Sequence, residues 1–231
     1  MNPPLVGIRQ DDTHRLIPSI PNEKSVFERL THDDAELDYL FELDGATNER
    51  LLGEANVLPG ITVHELLFGV SYARIVNAAF THAHPAGSRF NGPDRGAWYA
   101  AFELETALDE ISYHKRVELQ EIQWSQSETF TFDDYIADFR AEFHDIRRSR
   151  RYANCLDPNS YEAAQSLAEN LLANGSAGIV YTSVRRSLGN CLACFRPALV
   201  LNVRKGDTVT VDMTLDNPTM SRRKGTKKAG A

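Results

Sequence analysis

Apolar residues recur at helical spacing in three stretches of the chain and alternate or run continuously in several shorter ones. Leu37, Leu40 and Phe41 follow i, i+3, i+4 behind Thr31, with Asp33 and Asp34 in the first turn. That spacing predicts an amphipathic helix over Thr31–Leu43 with an acidic solvent face, ended by Asp44-Gly45. Leu104, Ala107, Leu108 and Ile111 form a second stripe, predicting a helix from Glu103 to about Lys115. Ser160 to Ala173 reads as a third helix, ended by Asn174-Gly175. A strand or strand–turn falls at Ser71–Val76, and strand-like runs at Ala97–Phe102, Glu128–Phe139, Gly178–Ser183, Ala198–Val203 and Thr208–Leu215. Gly206-Asp207 between the last two reads as a hairpin turn. Pro59-Gly60 marks another turn, and a loop is expected over Thr81–Gly96.

Strands and helices interleave without long regular strand–helix–strand units, which predicts an α+β fold: a mixed β core flanked by helices, with an N-terminal helical extension. Pro3, Pro4, Pro18 and Pro21 punctuate the first residues, which read as an arm lying over the domain. Residues 1–60 are therefore assigned to an arm and helical extension, 61–216 to the main domain, and 217–231 to a basic flexible tail.

Composition narrows the classes. The chain has 231 residues, 42% of them hydrophobic, enough to bury a sizeable core. A formal charge of -7 provides no basic field to recruit nucleic acid, so direct binding to it is not expected. The first residues lack a signal-peptide pattern and no apolar run is long enough to span a bilayer. Three cysteines, Cys155, Cys191 and Cys194, are an odd number that fits a reducing cytoplasm.

Candidate chemistry concentrates in Gly87–Glu110. Arg89 lies among Gly87, Gly92 and Gly96, where the backbone can approach a ligand and a guanidinium can grip a pyrophosphate. Neither the Walker pattern nor the dinucleotide-binding fingerprint is present, which disfavours a P-loop enzyme and a Rossmann dehydrogenase. Tyr99 and Trp98 point to opposite faces of a short strand, so one ring can enter the core while the other faces a cleft. Glu110 sits on the shoulder of its helix between the buried stripe and solvent, as do Glu103 and His114. Pairing of Glu110 with His114 at i+4 is the plainer alternative. Cys191-Leu-Ala-Cys194 lacks a second ligand pair, His82-Ala-His84 stands without further ligands, and His64-Glu-Leu-Leu-Phe68 lacks a second histidine, so no metal site is assigned.

Four elements in order resemble the RES domain family: Gly87-Ser-Arg-Phe-Asn91, Ala97-Trp-Tyr-Ala-Ala101, Thr106-Ala-Leu-Asp-Glu110 and Gly178-Ile-Val-Tyr-Thr-Ser-Val-Arg185. Tyr72-Ala-Arg74 resembles an earlier Tyr-Arg element, with an alanine inserted. Ser88 and Phe90 replace the family's usual Gly and Trp. The resemblance spans about residues 70 to 205. It implies an ADP-ribosyltransferase-like fold and a toxin that consumes NAD+, by phosphorolysis with inorganic phosphate as co-substrate, by hydrolysis, or by ADP-ribosyl transfer to a protein. It also implies a helix-turn-helix antitoxin as partner. On this basis Glu110, Arg89 and Tyr99 are the expected catalytic residues, and Arg74, Arg89, Tyr99 and Ser183 the expected NAD+ contacts. Arg185, a surface charge on the alternative reading, is left out of this set. A non-enzymatic binding module on the same fold stays open, as does a homo-oligomer; for residues 1–60 both covering the pocket and supplying a dimer surface stay open.

Overall fold

The computed structural model describes residues 2–19, 58–123, 127–213 and 221–224. The helix expected over Thr31–Leu43, and with it the helical extension, lies outside the described residues. The rest is α+β. A seven-stranded sheet is built from β1 (Leu5–Pro18), β2 (Trp98–Ala101), β3 (Glu128–Asp145), β4 (Gly178–Thr182), β5 (Asn190–Cys194), β6 (Leu201–Met213) and β7 (Ser221–Lys224), in the order β1-β2-β5-β4-β3-β6-β7. The helices are α1 (Ala73–Thr81), α2 (Leu104–Glu121) and α3 (Glu162–Ala173). Strand β1 also pairs with β3, so β1, β2, β5, β4 and β3 close on themselves. Only β3 and β4 run parallel; the other pairings are antiparallel.

Strict alternation along the central strands builds two cores. Tyr99, Ala101, Ile179, Tyr181, Cys191 and Ala193 face one, where Ala107 and Leu108 of α2 and Ala164, Ala168 and Leu171 of α3 pack. Trp98, Ala100, Val180, Leu192 and Cys194 face the other, covered by Val76 and Phe80 of α1. Both faces are buried, so the strands read as continuous apolar runs. Cys191 and Cys194, three positions apart on one strand, consequently point into different cores and cannot hold one ion between them. Burial pushes the Cys194 thiol up to about 12 and the Cys191 thiol higher still, with Glu110 adding to the latter shift.

Several expectations need correction. The proline-marked arm is in fact β1, a strand of the sheet that pairs with β3 from Leu5 to Pro18. Its alternation is broken by a bulge between Gln10 and Thr13, where Asp12 is left-handed at φ 57, and this interrupts the two-residue period that announces a strand. Ser71–Val76 is a turn at Ser71 and Tyr72 running into α1, not a strand: Ala73, Val76, Asn77 and Phe80 are buried at helical spacing. Asn77 fixes the preceding loop, accepting from the Leu67 N–H at 2.9 Å and donating to its carbonyl at 2.7 Å.

The two strands expected around Gly206-Asp207 are one. Asp133 pairs with Thr208 and Tyr135 with Lys205, so Gly206 and Asp207 both stand opposite Asp134 in a bulge. Glycine followed by a small acid suits a bulge as well as a turn, and Val209, Val211 and Met213 carry the strand on into the first core. Strand β5 was not foreseen. The basic tail begins with β7, which pairs with β6 from Ser221 to Lys224. Among the described residues no helix is long and apolar enough to cross a membrane.

Candidate active site

The turn that carries Arg89 is shaped by Gly87. Its φ is +70, and a Cβ there would lie 2.2 Å from the Asn91 carbonyl oxygen, so only glycine fits. Ser88 and Asn91 then pair through their backbones, placing Arg89 at the tip but with its side chain turned inward; the residue is 8% exposed. One Nη of Arg89 donates to the carbonyls of Asp157 at 2.7 Å and Cys155 at 3.2 Å. The guanidinium lies 4.7 Å from the Tyr161 ring centroid. Among the described residues no carboxylate pairs with it, so its charge is held by dipoles and a ring face.

Tyr99 projects from β2 into the same core and locks the turn. Its hydroxyl donates to Asn91 Oδ1 at 2.8 Å and accepts from the Phe90 N–H at 2.8 Å. Burial holds its pKa well above the ordinary tyrosine value, although Phe90 N–H, Arg15 and Arg89 act the other way. The phenol therefore works as a neutral hydrogen-bonding group.

Glu110 and Ser183 meet from opposite sides. Glu110 is half-buried on α2; Ser183 follows β4 and is buried. Ser183 Oγ donates to Glu110 Oε1 at 2.6 Å and accepts from the backbone N–H groups of Arg185 at 3.1 Å and Arg186 at 2.9 Å. Gly189 allows this approach, because a Cβ there would lie 2.7 Å from Thr106 Oγ1 of α2. The adjacent Arg186 ties down the same helix through Asp109 at 2.9 Å. Burial, Cys191 and then Glu110 raise the Tyr181 pKa beneath the pair.

Arg74 is placed differently. It is exposed on α1, the helix that covers the Trp98 face, whereas Glu110, Ser183, Tyr99 and Arg89 belong to the opposite core. Arg15 of β1 is the early arginine nearest Tyr99: its Nη1 donates to the Tyr99 carbonyl at 3.2 Å and its guanidinium lies 4.9 Å from the Trp98 centroid. Burial lowers the Arg15 pKa to about 10. Its position after a histidine in a strand interrupted by a bulge left no periodic signal.

An open cleft of about 580 Å³ runs between α2, from Tyr113 onward, and the Pro158–Glu162 segment. Tyr113, His114 and Val117 form one wall; Pro158, Asn159 and Tyr161 belong to the other. Arg185, left out of the expected site residues, packs on the Tyr113 wall. Its guanidinium lies 3.2 Å from the Tyr113 centroid and donates to the Pro158 carbonyl at 3.0 Å. Desolvation lowers the His114 pKa, with Arg185 and Arg89 contributing and Glu110 opposing. The spacing of Tyr113 and His114 at i+3 and i+4 from Glu110 was a usable signal; Tyr161 gave none, because its partner Arg89 is distant in sequence.

A carboxylate held by a serine, an inward arginine stacked on Tyr161 and a cleft walled by Tyr113 and Tyr161 are the features of this face. The RES domain family model matches residues 62–215. The chain belongs to the RES domain family. No curated protein matches this RES chain. Its fold is similar to that of a chain in the crystal structure of the M. tuberculosis MbcT–MbcA toxin–antitoxin complex, at 9% identity and a TM-score of 0.48, covering 91% of this chain and 87% of that one.

Proposed function

We propose that this RES protein cleaves the nicotinamide–ribose bond of NAD+ and acts as the toxin of a toxin–antitoxin pair. The observation that carries the reading is the Ser183–Glu110 contact at 2.6 Å beside two arginines that have no carboxylate partner among the described residues. Cleavage breaks the C1′–N bond, and its electron pair returns to the pyridinium ring as neutral nicotinamide. The ribose left behind carries oxocarbenium-like positive charge, which the Glu110 carboxylate stabilises while holding a ribose hydroxyl. Ser183 aims the carboxylate. Arg89 binds the pyrophosphate or the attacking phosphate, and Tyr99 holds the turn that presents it. A phosphate oxygen captures C1′ to give a phosphorylated ADP-ribose; water gives ADP-ribose and a proton. Inhibition by a helix-turn-helix antitoxin belongs to the same proposal.

NAD+ incubated with the purified chain, with and without inorganic phosphate, tests the reading by chromatographic resolution of products. Nicotinamide release abolished by Glu110→Gln is expected. Phosphate dependence identifies phosphorolysis, and label transferred from NAD+ to a protein identifies ADP-ribosyl transfer. No NAD+ loss from folded protein in either buffer overturns the proposal.

A further inference from the structure

We infer that Arg186, through its ion pair with Asp109, is a positioning residue that seats the Ser183–Gly189 turn on α2 and so sets the reach of Ser183 Oγ to Glu110. The inference rests on the NAD+ reading for the reaction it serves, and on the turn's own contacts for the geometry.

Thr106, Asp109, Glu110 and Tyr113 of α2 follow i, i+3, i+4, i+7 and so share one stripe of the helix. The turn between β4 and β5 lies along that stripe and meets each member of it. Gly189 faces Thr106, where a Cβ would stand 2.7 Å from Oγ1, so turn and helix close only because that side chain is missing. Arg186 Nη1 donates to Asp109 Oδ2 at 2.9 Å. Ser183 Oγ donates to Glu110 Oε1 at 2.6 Å, and the Arg185 guanidinium lies 3.2 Å from the Tyr113 centroid. Within the turn, the Ser183 N–H donates to the Gly189 carbonyl at 2.8 Å and the Gly189 N–H to the Arg186 carbonyl at 3.2 Å. Those backbone bonds give the turn its shape, but they do not reach α2. Leu188, at the apex, is left-handed at φ 65 and 86% exposed, so it anchors nothing.

Arg186 is the residue that joins the two ends of this contact. Its side chain holds Asp109 on the helix, while its backbone N–H donates to Ser183 Oγ at 2.9 Å. The serine is thereby tied to the same turn of α2 that carries Glu110. Asp109 and Glu110 are also adjacent like charges, and Arg186 neutralises the first of them, leaving Glu110 as the carboxylate that the serine meets. Both partners of the ion pair are part-exposed, so the pair adds little to folding. Its effect is on position, to which a reacting carboxylate is far more sensitive.

The test uses the full chain, steady-state NAD+ turnover and amide hydrogen exchange read by NMR. Arg186→Met is expected to lower kcat about 10-fold with KM unchanged, the scale of a slightly misplaced reacting group, and Arg186→Lys to recover most of the loss. Asp109→Asn is expected to match Arg186→Met, and the two together to cost no more than either alone. In a Ser183→Ala background Arg186→Met is expected to change nothing further. Exchange of the Arg185 and Arg186 amides is expected to quicken about 2- to 5-fold in both single variants, the scale of a part-exposed ion pair, while the melting temperature barely moves. A rise in KM at constant kcat makes Arg186 a ligand contact and overturns the inference. Additive losses in the double variant overturn it too, as does a further loss on top of Ser183→Ala. If the wild-type chain consumes NAD+ and folded Arg186→Met turns over at the same rate, the positioning role falls and the proposed reaction stands. If no NAD+ is consumed yet both variants quicken the two amides without additivity, the reaction falls and the seating of the turn stands; unchanged exchange overturns the seating.

Discussion

Ser183 Oγ lies 2.6 Å from Glu110 Oε1 across a sequence separation of 73 residues, and the same oxygen accepts the backbone N–H groups of Arg185 and Arg186. One hydroxyl thus orients the carboxylate and folds the turn that carries Arg185 towards the cleft. No other described contact joins the β4 end to Glu110 so directly.

Ser183→Ala is expected to free the carboxylate and leave two amide donors unpaired near the site. Turnover of NAD+ should fall about 10- to 100-fold, the scale of a modest misplacement of a reacting group. Stability should fall by about 1–3 kcal/mol for the unpaired donors. Steady-state kinetics beside urea denaturation separates the two effects. Full activity in a folded variant would remove the serine from the site.

Tyr99→Phe leaves the ring in its core but removes the hydroxyl that serves Phe90 N–H and Asn91 Oδ1. With a buried donor orphaned, the expected loss is about 1–3 kcal/mol of folding stability. Because those bonds hold the Gly87–Asn91 turn, affinity for an anionic ligand at Arg89 should fall as well. Thermal unfolding with and without ADP-ribose reads both, and an unchanged melting temperature would show that the turn stands without Tyr99.

Acid sensitivity is expected to run through Asp138. Burial alone would raise its pKa, but the Asn202 amide, the Asp12 N–H and the Arg204 guanidinium outweigh burial and hold it below the ordinary aspartate value. A depressed carboxylate stabilises the fold above its unfolded pKa, and that contribution is lost as pH falls through the folded value. Asp138→Asn should cost about 1.5–3 kcal/mol at neutral pH, as a charged hydrogen-bond partner does, and should flatten the decline of stability below about pH 4. Urea unfolding at a series of pH values checks it; parallel profiles for the two proteins would exclude Asp138 as a source of acid sensitivity.

Much of the fold was legible where one period held without interruption. The stripe Leu104, Ala107, Leu108 and Ile111 marked α2, the run from Gly178 marked β4, and Asn174-Gly175 marked the end of α3, where Gly175 adopts φ +79. Legibility failed at irregular backbone. The bulge at Asp12 hid β1, the bulge at Gly206 looked like a turn, and the β-branched Ile75 and Val76 disguised the first turns of α1, whose helical register comes from packing against Trp98. Strand β5 was missed because a cysteine-containing run of five residues, Asn190–Cys194, carries little signal of its own.

For the site, the sequence by itself determined which residue types were available and the local frame of each: Arg89 in a glycine-bound turn, Tyr99 opposite Trp98, Glu110 on a helix shoulder, Ser183 at a strand end. It also determined membership of the RES family through the order of those elements. Only the tertiary structure decided which of them meet. It brought Ser183 to Glu110, turned Arg89 inward onto Asp157 and Tyr161, drew Arg185 over Tyr113, and set Arg74 on the far face while bringing Arg15 of β1 against Tyr99. Periodicity reports how a residue faces its own helix or strand. Contacts between distant residues depend on strand order, on bulges and on the few places, such as Gly189 against Thr106, where a missing side chain lets two segments close.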